Sequence, residues 1–324
     1  MNTLMAAPAL FTLEREGFTE QVISGYFKFV AHEHEHTNLP SPTDLRLPSR
    51  SLLKPWQFLA LKSELTQPEH LLGIASHSGQ QVHLDALRSM IAREDEDFAQ
   101  HLVCPACSPY DMSSENRANL IPTDKKRLHH FCSGKHLNML KVSRQNGWPL
   151  ESYHELAHPA QLKIRAYLRE HLNEDSIFVT DSCGLPNAVL TLDQILVLYR
   201  DLVQSKAQNK RVLVDTWRRA PVWTGGFGRL DTELMECSEG RMIAKEGADG
   251  LIVLQGCGDP AHEKVSLIVK SGHGLNSQHL APIIYSVLMA NHKCLPSGFK
   301  RALAYLDKNL SSYCSAGHNY RFKI

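Results

Sequence analysis

Two apolar runs in the last third of the chain, Leu251 to Gln255 and Lys264 to Lys270, read as neighbouring antiparallel strands. Earlier segments carry helical spacing instead. Leu137 to Gln145 is a helix stopped by Asn146-Gly147. Pro159 to His171 is another, with proline near its first turn and Leu162, Ile164, Ala166 and Leu168 as its apolar set. Thr191 to Val203 and Leu280 to Met289 are also helical, and Ile177 to Thr180 is a compact strand. Helices mixed with strand pairs exclude strict βαβ alternation. They imply an α/β fold with a partly antiparallel sheet and flanking helices.

Nearer the start, Gln21 to Val30 reads as a strand, and the polar, proline-bearing run to Pro48 as loop. His32-Glu33-His34-Glu35-His36 lies in that run. In a strand its alternation puts His on one face and Glu on the other, so a solvated loop or strand edge is favoured over a metal site. Pro55 to Leu65 has helical spacing. Leu71 to Ala75 has the pattern of a buried strand ending in a turn, and Val82 to Ala92 reads as a helix with Leu84, Leu87 and Ile91 inward.

At 324 residues the chain can bury a large core in one α/β domain or in two lobes. A net charge of +1 gives no reason to expect nucleic acid or a polybasic membrane contact. No apolar run approaches the roughly 20 residues a bilayer span needs. Met1 to Leu13 has no basic segment before its apolar stretch, so it is not read as a secretion signal. The expected location is the cytoplasm. Eight cysteines in such a chain are then free or metal-bound thiols rather than a disulfide framework.

The densest cluster of reactive groups is Phe131-Cys132-Ser133-Gly134-Lys135-His136. Thiolate, amine and imidazole all lose hydration on burial, which makes the run poor core material and good site material. Cys132 and Lys135 are three residues apart at a turn entering a helix, and Cys183 follows the Ile177 strand. Two thiolates suit a soft or borderline metal, zinc by default, and a metal can drive deprotonation of an amine ligand. Spacing alone also allows two unrelated buried thiols. Cys104-Pro105-Ala106-Cys107 lacks a second Cys-x-x-Cys partner and reads as a pair of reduced structural cysteines.

Ser51-Leu52-Leu53-Lys54 is a Ser-x-x-Lys tetrad leading into a helix near Pro55. The spacing puts hydroxyl and amine on one side of a helix start, where a neutral lysine can take the serine proton. Such tetrads are common by chance, and an N-cap serine beside a surface lysine is the ordinary alternative. Ser76-His77-Ser78 and Lys245-Glu246-Gly247 extend the set. The order Ser-x-x-Lys, serine-containing turn, Lys-x-Gly is that of serine β-lactamases and penicillin-binding proteins. The match is loose, because Ser76-His77-Ser78 is not Ser-Asp-Asn and Glu246 stands where a hydroxyl residue is usual.

Taken together, the motifs resemble the L-asparaginase II, or rhizobial-type, amidohydrolases. The matching segments are Arg50-Ser51-Leu52-Leu53-Lys54-Pro55, Ala75 to Gly79, Cys132 to His136, Gly147-Trp148-Pro149, His158-Pro159, Asp181 to Pro186 and Ala244 to Gly250. They occur in the family's order over roughly residues 15 to 270. The resemblance implies a single asparaginase II-like domain over residues 1–324. Its fold would be serine β-lactamase/glutaminase-like, with two closely associated lobes. It also implies hydrolysis of L-asparagine to L-aspartate and ammonia, and a homodimer. Carried over by position, Ser51 is the nucleophile and Lys54 its proton partner, with Ser76 and Lys245 as a second Ser–Lys pair. Cys132, Lys135 and Cys183 fall where the family binds Zn2+. Asp181 would orient the substrate α-amino group, with Arg50 and His136 in the same pocket.

The chain departs from the family pattern at several points. Gln80 stands where relatives usually carry glutamate, and Ser24 lies where a histidine is expected. The usual N-terminal hairpin is replaced by the His/Glu run. Ser271 to Leu280 is atypical, Ser205 to Trp217 is short, and no glycine-rich stretch is recognisable in Asn309 to Ile324. The alternatives are an amidohydrolase for another amide amino acid such as glutamine, and a catalytically weak zinc- or amino-acid-binding relative.

Overall fold

The computed structural model describes residues 7–38, 45–95, 97–109, 126–272, 277–314 and 318–322. The chain divides into two compact units. The first is built from Met1–Leu47, Thr191–Ala207 and Gly228–Ile324, the second from Pro48–Leu190 and Gln208–Phe227.

The first unit is organised by an antiparallel sheet. Its strands are β1 (Ala9–Arg15), β2 (Phe18–Ala31), β3 (His34–Thr37), β7 (Met242–Gly247), β8 (Leu251–Gly256), β9 (Val265–Ser271) and β10 (His318–Phe322). Their order is β10-β1-β2-β9-β8-β7, with β3 also on β2. The long β2 pairs with β9 from Gly25↔Ser271 to Ala31↔Val265, and with β3 from Lys28↔Thr37 to Ala31↔His34. β8 and β9 are buried along their whole length, which is why they read as unbroken apolar runs rather than alternating ones. The antiparallel pairing of Leu251–Gln255 with the Lys264–Lys270 run is as the sequence implies.

Helices α5 (Leu192–Gln204), α7 (Leu230–Cys237), α8 (Pro260–Glu263), α9 (Ser277–Ala290) and α10 (Ser297–Cys314) complete this unit. α5 opens on a capping box. Thr191 Oγ1 accepts from the Gln194 N–H at 3.1 Å, and Gln194 Oε1 accepts from the Thr191 N–H at 2.8 Å. Its apolar face, including Ile195, Leu198 and Leu202, packs on β8 and β9.

The His/Glu run is not loop throughout. It turns at His32, whose φ is +56°, and returns as β3, so the run itself forms a hairpin with β2. The expected alternation holds. His34 Nε2 and His36 Nδ1 both meet the Asn291 carboxamide at 2.9 Å, while Glu35 pairs with Lys28 at 3.0 Å. Part of the expected loop to Pro48, and parts of the Ser271–Leu280 and Asn309–Ile324 segments, lie outside the described residues.

Short strand β4 (Arg46–Pro48) leads along the chain into the second unit. That unit holds α1 (Lys54–Ala60), α2 (Gln81–Ile91), α3 (Ser133–Gln145), α4 (Pro159–Leu172) and α6 (Gln208–Arg219). It also holds strands β5 (Ile177–Thr180) and β6 (Pro186–Thr191), paired antiparallel. Leu71 to Ala75 is not a strand. Pro68–Ile74 forms a 3-10 helix, since an apolar run of that length fits a buried helical turn as well as a strand. α3 lies directly on it: a Cβ at Gly134 would come within 2.4 Å of Leu72 O, so only glycine allows this approach. α3 also starts earlier than its apolar spacing implies, at Ser133. In α4, Ile164 and Leu168 are buried as expected, whereas Leu162 is 48% exposed and Ala160 and Gln161 face inward.

No helix among the described residues is long and apolar enough to cross a membrane. The observed architecture is mixed α/β with antiparallel sheets.

Candidate active site

Ser51 lies in a 3-10 turn, Arg50–Leu53, that runs straight into α1 at Lys54. The residue before it, Arg50, has φ +52°, a left-handed conformation that costs a non-glycine residue about 1–2 kcal/mol. Asn187 on β6 holds it there. Its Oδ1 accepts from the Arg50 N–H at 2.9 Å and its Nδ2 donates to the Arg50 carbonyl at 3.0 Å. The Ser49 hydroxyl lies 3.1 Å from the same Oδ1. Asn187 did not stand out in the sequence, where it is one more polar residue after a proline.

The Arg50 guanidinium pairs with Asp181 at 2.5 Å and reaches Ser182 Oγ at 3.4 Å. The turn carrying Asp181 closes with a Gly184 N–H to Asp181 O bond, and Gly184 takes φ +88° there. Arg50 and Asp181, assigned to the same pocket from sequence, are thus direct partners.

Lys54 is fully buried, one turn along from Ser51. Its Nζ donates to the Ala75 carbonyl and lies 3.2 Å from Ser76 Oγ. Burial lowers its pKa, helped by Lys135 and opposed by Cys132 and Cys183; the net direction is down, toward the neutral amine. Ser76 is fixed in turn by the segment that runs beside it. The Ser76 N–H donates to Thr224 O at 2.8 Å, and the Ser78 N–H to Gly225 O at 2.8 Å. Between them, His77 Nδ1 accepts from the Gly79 N–H at 3.1 Å. That leaves the ring proton on Nε2, which meets Ser133 Oγ at 2.9 Å. The serine turn is therefore tied to the first residue of α3.

The Cys132–His136 run begins α3, and all of it is buried. Lys135 Nζ lies 3.4 Å from Cys183 Sγ, and Cys132 hydrogen-bonds to Cys183 and to Lys54. Burial pushes the Cys132 thiol up, but the Cys183 hydrogen bond and the Lys54 and Lys135 charges outweigh it and hold it well below the usual thiol range. Cys183 goes the other way, raised by its hydrogen bond to Cys132 and by burial. Lys135 is raised: burial lowers it, and the two sulfurs more than reverse that. The cluster therefore shifts Cys132 toward the thiolate, Cys183 toward the thiol and Lys135 toward the ammonium.

Among the described residues no three His, Cys, Asp or Glu side chains converge as a metal site. The converging donors here are two sulfurs and an amine. His136 is fully buried, with Nδ1 2.6 Å from the Tyr153 hydroxyl, and burial pushes its pKa down to about 4 against the pull of Cys183. Cys104 is a protonated thiol: burial, then the charges of Cys132 and Cys183, push it up to about 12. Cys104, Cys107, Cys132, Cys183, Cys237, Cys257 and Cys294 are all free.

Lys245 belongs to the first unit. It lies within β7, a strand the sequence reading did not anticipate, and is fully buried with Nζ 3.1 Å from Glu246 O. Beside it, Glu246 pairs with Arg229 at 2.5 Å and its N–H donates to Asp231 Oδ2 at 3.0 Å.

No curated protein matches the chain. The family model for L-asparaginase II matches residues 11–313, nearly its whole length, and the chain belongs to that family.

Proposed function

We propose that the protein is an amidohydrolase that converts L-asparagine to L-aspartate and ammonia through Ser51, on a serine β-lactamase-like fold. The observation that carries this reading is the placement of Lys54. A buried amine, hydrogen-bonded to Ser76 Oγ, stands one helical turn from Ser51 at the start of α1. Surface lysines beside N-cap serines do not look like this.

Neutral Lys54 takes the Ser51 proton as the serine oxygen attacks the side-chain amide carbon. The tetrahedral intermediate collapses to an ester on Ser51 as protonated Lys54, hydrogen-bonded to Ser76 Oγ, gives that proton to the leaving nitrogen, which departs as ammonia. Water then attacks the ester as Lys54 again accepts a proton, which it returns to the departing Ser51 oxygen, and aspartate is released. Backbone N–H groups at the Ser51 turn would stabilise the oxyanion. Arg50 and Asp181 offer the two charges that a zwitterionic α-amino acid needs, the carboxylate of Asp181 facing the substrate ammonium.

Cys132, Cys183 and Lys135 fit a zinc ion, because two sulfurs and an amine already converge in a buried place. Bound there, zinc would supply positive charge next to the site, as a Lewis acid. These three residues would hold it, and Lys135 must give up its proton to do so.

The test is ammonia release from L-asparagine, L-glutamine and a β-lactam by wild-type, Ser51→Ala and Lys54→Met proteins. Release from asparagine by wild type alone is expected. Wild-type rates in either variant would overturn the assignment.

A further inference from the structure

Arg50 is the only residue that separates the β4 side of the chain from Ser51 in a left-handed conformation, and both of its backbone groups end on one side chain. Asn187 Oδ1 takes the N–H at 2.9 Å and Nδ2 gives to the carbonyl at 3.0 Å. This is the pairing an adjacent strand would offer, made instead by a carboxamide. Asn187 is 1% exposed and sits on β6 opposite Val179. Its orientation is fixed, because a flipped amide would face N–H with NH2 and carbonyl with carbonyl. Ser49, just before Arg50, adds a backbone bond to Ala188 O at 2.9 Å and a hydroxyl contact to the same carbonyl at 2.8 Å.

We infer that Asn187 is a positioning residue for the nucleophile: by holding both backbone groups of Arg50 it sets the direction in which Ser51 enters its turn. The inference rests on the reading of Ser51 as the nucleophile. Asn187 touches neither the serine oxygen nor Lys54 among its hydrogen bonds, and it acts through the Arg50 backbone. The Arg50 side chain is held separately, by Asp181. Substrate charge recognition and nucleophile direction therefore depend on different residues of the β5–β6 hairpin. Loss of Asn187 should release the φ angle at residue 50 while leaving the guanidinium with its carboxylate.

The experiment is steady-state kinetics on L-asparagine with Asn187→Ala and Asn187→Asp, with Ser51→Ala alongside and thermal unfolding of each protein. Asn187→Asp keeps the size and the acceptor but has no donor for the Arg50 carbonyl. Both variants are expected to lose kcat on the order of 10²-fold, the scale of a small misplacement of a reacting group, with KM unchanged. A rise in KM at wild-type kcat overturns the inference, as does wild-type kcat in both variants. So does a loss of kcat that only follows loss of folded protein in both. Wild-type turnover in Ser51→Ala overturns the nucleophile assignment and this inference with it. An inactive Ser51→Ala with wild-type Asn187 variants removes the inference alone.

Discussion

Gln80 and Phe227 hydrogen-bond in both directions: Gln80 Oε1 accepts from the Phe227 N–H at 2.9 Å, and Nε2 donates to the Phe227 carbonyl at 3.0 Å. The pair continues the contact that binds Ser76 and Ser78 to Thr224 and Gly225. A glutamate, the residue usual in relatives, accepts but cannot donate when ionised. Gln80→Glu should therefore destabilise the protein at pH 7 by about 0.5–1.5 kcal/mol, the worth of a hydrogen bond. A carboxyl facing a carbonyl has its folded-state pKa raised above the free value of about 4.3. The loss is then full above the folded pKa and shrinks as pH falls toward the unfolded one. Urea unfolding of both proteins at pH 7 and near pH 4 measures it. A penalty that grows at low pH would contradict the two-way bond.

Gly134 decides how closely α3 approaches the 3-10 helix at Leu72. Alanine is the better helix former by about 1 kcal/mol. Here the new methyl would sit 2.4 Å from Leu72 O and 2.8 Å from its carbonyl carbon, both backbone atoms that cannot swing aside. Overlap should win, and Gly134→Ala should lose about 1–3 kcal/mol. Denaturant midpoints settle the sign, and a stabilised variant would mean that α3 moves freely.

Metal content separates the thiols. Purified protein should carry zinc, and Cys132→Ser and Cys183→Ser should each lose it by elemental analysis. Cys104→Ser should keep it, because burial holds that thiol protonated with a pKa of about 12. The converse pattern, with Cys104 required and Cys183 dispensable, would relocate the site. Chelation of the wild type should lower its thermal stability as well, since ligands that hold a metal contribute its binding energy to the folded state.

Asp259 caps α8. It accepts from the Ala261 N–H at 3.0 Å and the His262 N–H at 3.1 Å, and it meets Arg241 at 2.8 Å. The hydrogen bond with His262 chiefly holds its carboxyl below the usual carboxylate range, against the opposing effect of burial. A depressed folded pKa stabilises above the unfolded value of about 3.9 and is lost as pH falls through the folded one. Asp259→Ala should cost about 1 kcal/mol at pH 7. The gap to wild type should close in acid below pH 4 or so. A gap that is constant down to pH 2 would leave the carboxylate charge without a role.

Periodicity carried the helices and the β8–β9 pair, because those residues bury one face or both against an ordinary core. It failed where burial serves something else. Ser133, Gly134, Lys135 and His136 are buried polar or small residues, so the first turn of α3 has no apolar stripe to read. Lys245 hid β7 for the same reason, since a lysine at a fully buried strand position looks like a loop residue. The motifs grouped Lys135 with Cys183 and Arg50 with Asp181, which are direct neighbours, whereas they paired Ser76 with Lys245, and it is Lys54 that hydrogen-bonds to Ser76 Oγ. Asn187 stayed invisible because its work is done on a backbone angle, and no side-chain spacing encodes a φ of +52° at Arg50.

The register of the first unit's sheet has a consequence for how the chain is made. β2 is extended from Phe18 to Ala31, yet its neighbour β9 runs from Val265 to Ser271, and β1 is opposite β10 at Phe11↔Phe322. A ribosome delivers β1, β2 and β3 early and their partners late. Meanwhile Pro48–Leu190 emerges as an almost unbroken stretch of the other unit and can compact on local contacts. The nascent hairpin must wait with open, hydrogen-bond-hungry edges until the closing strands appear, which makes sheet closure the slow, aggregation-exposed step. Translation that stalls before Val265 would leave a chain with its Ser/Lys turn formed and its longest strand still seeking a neighbour.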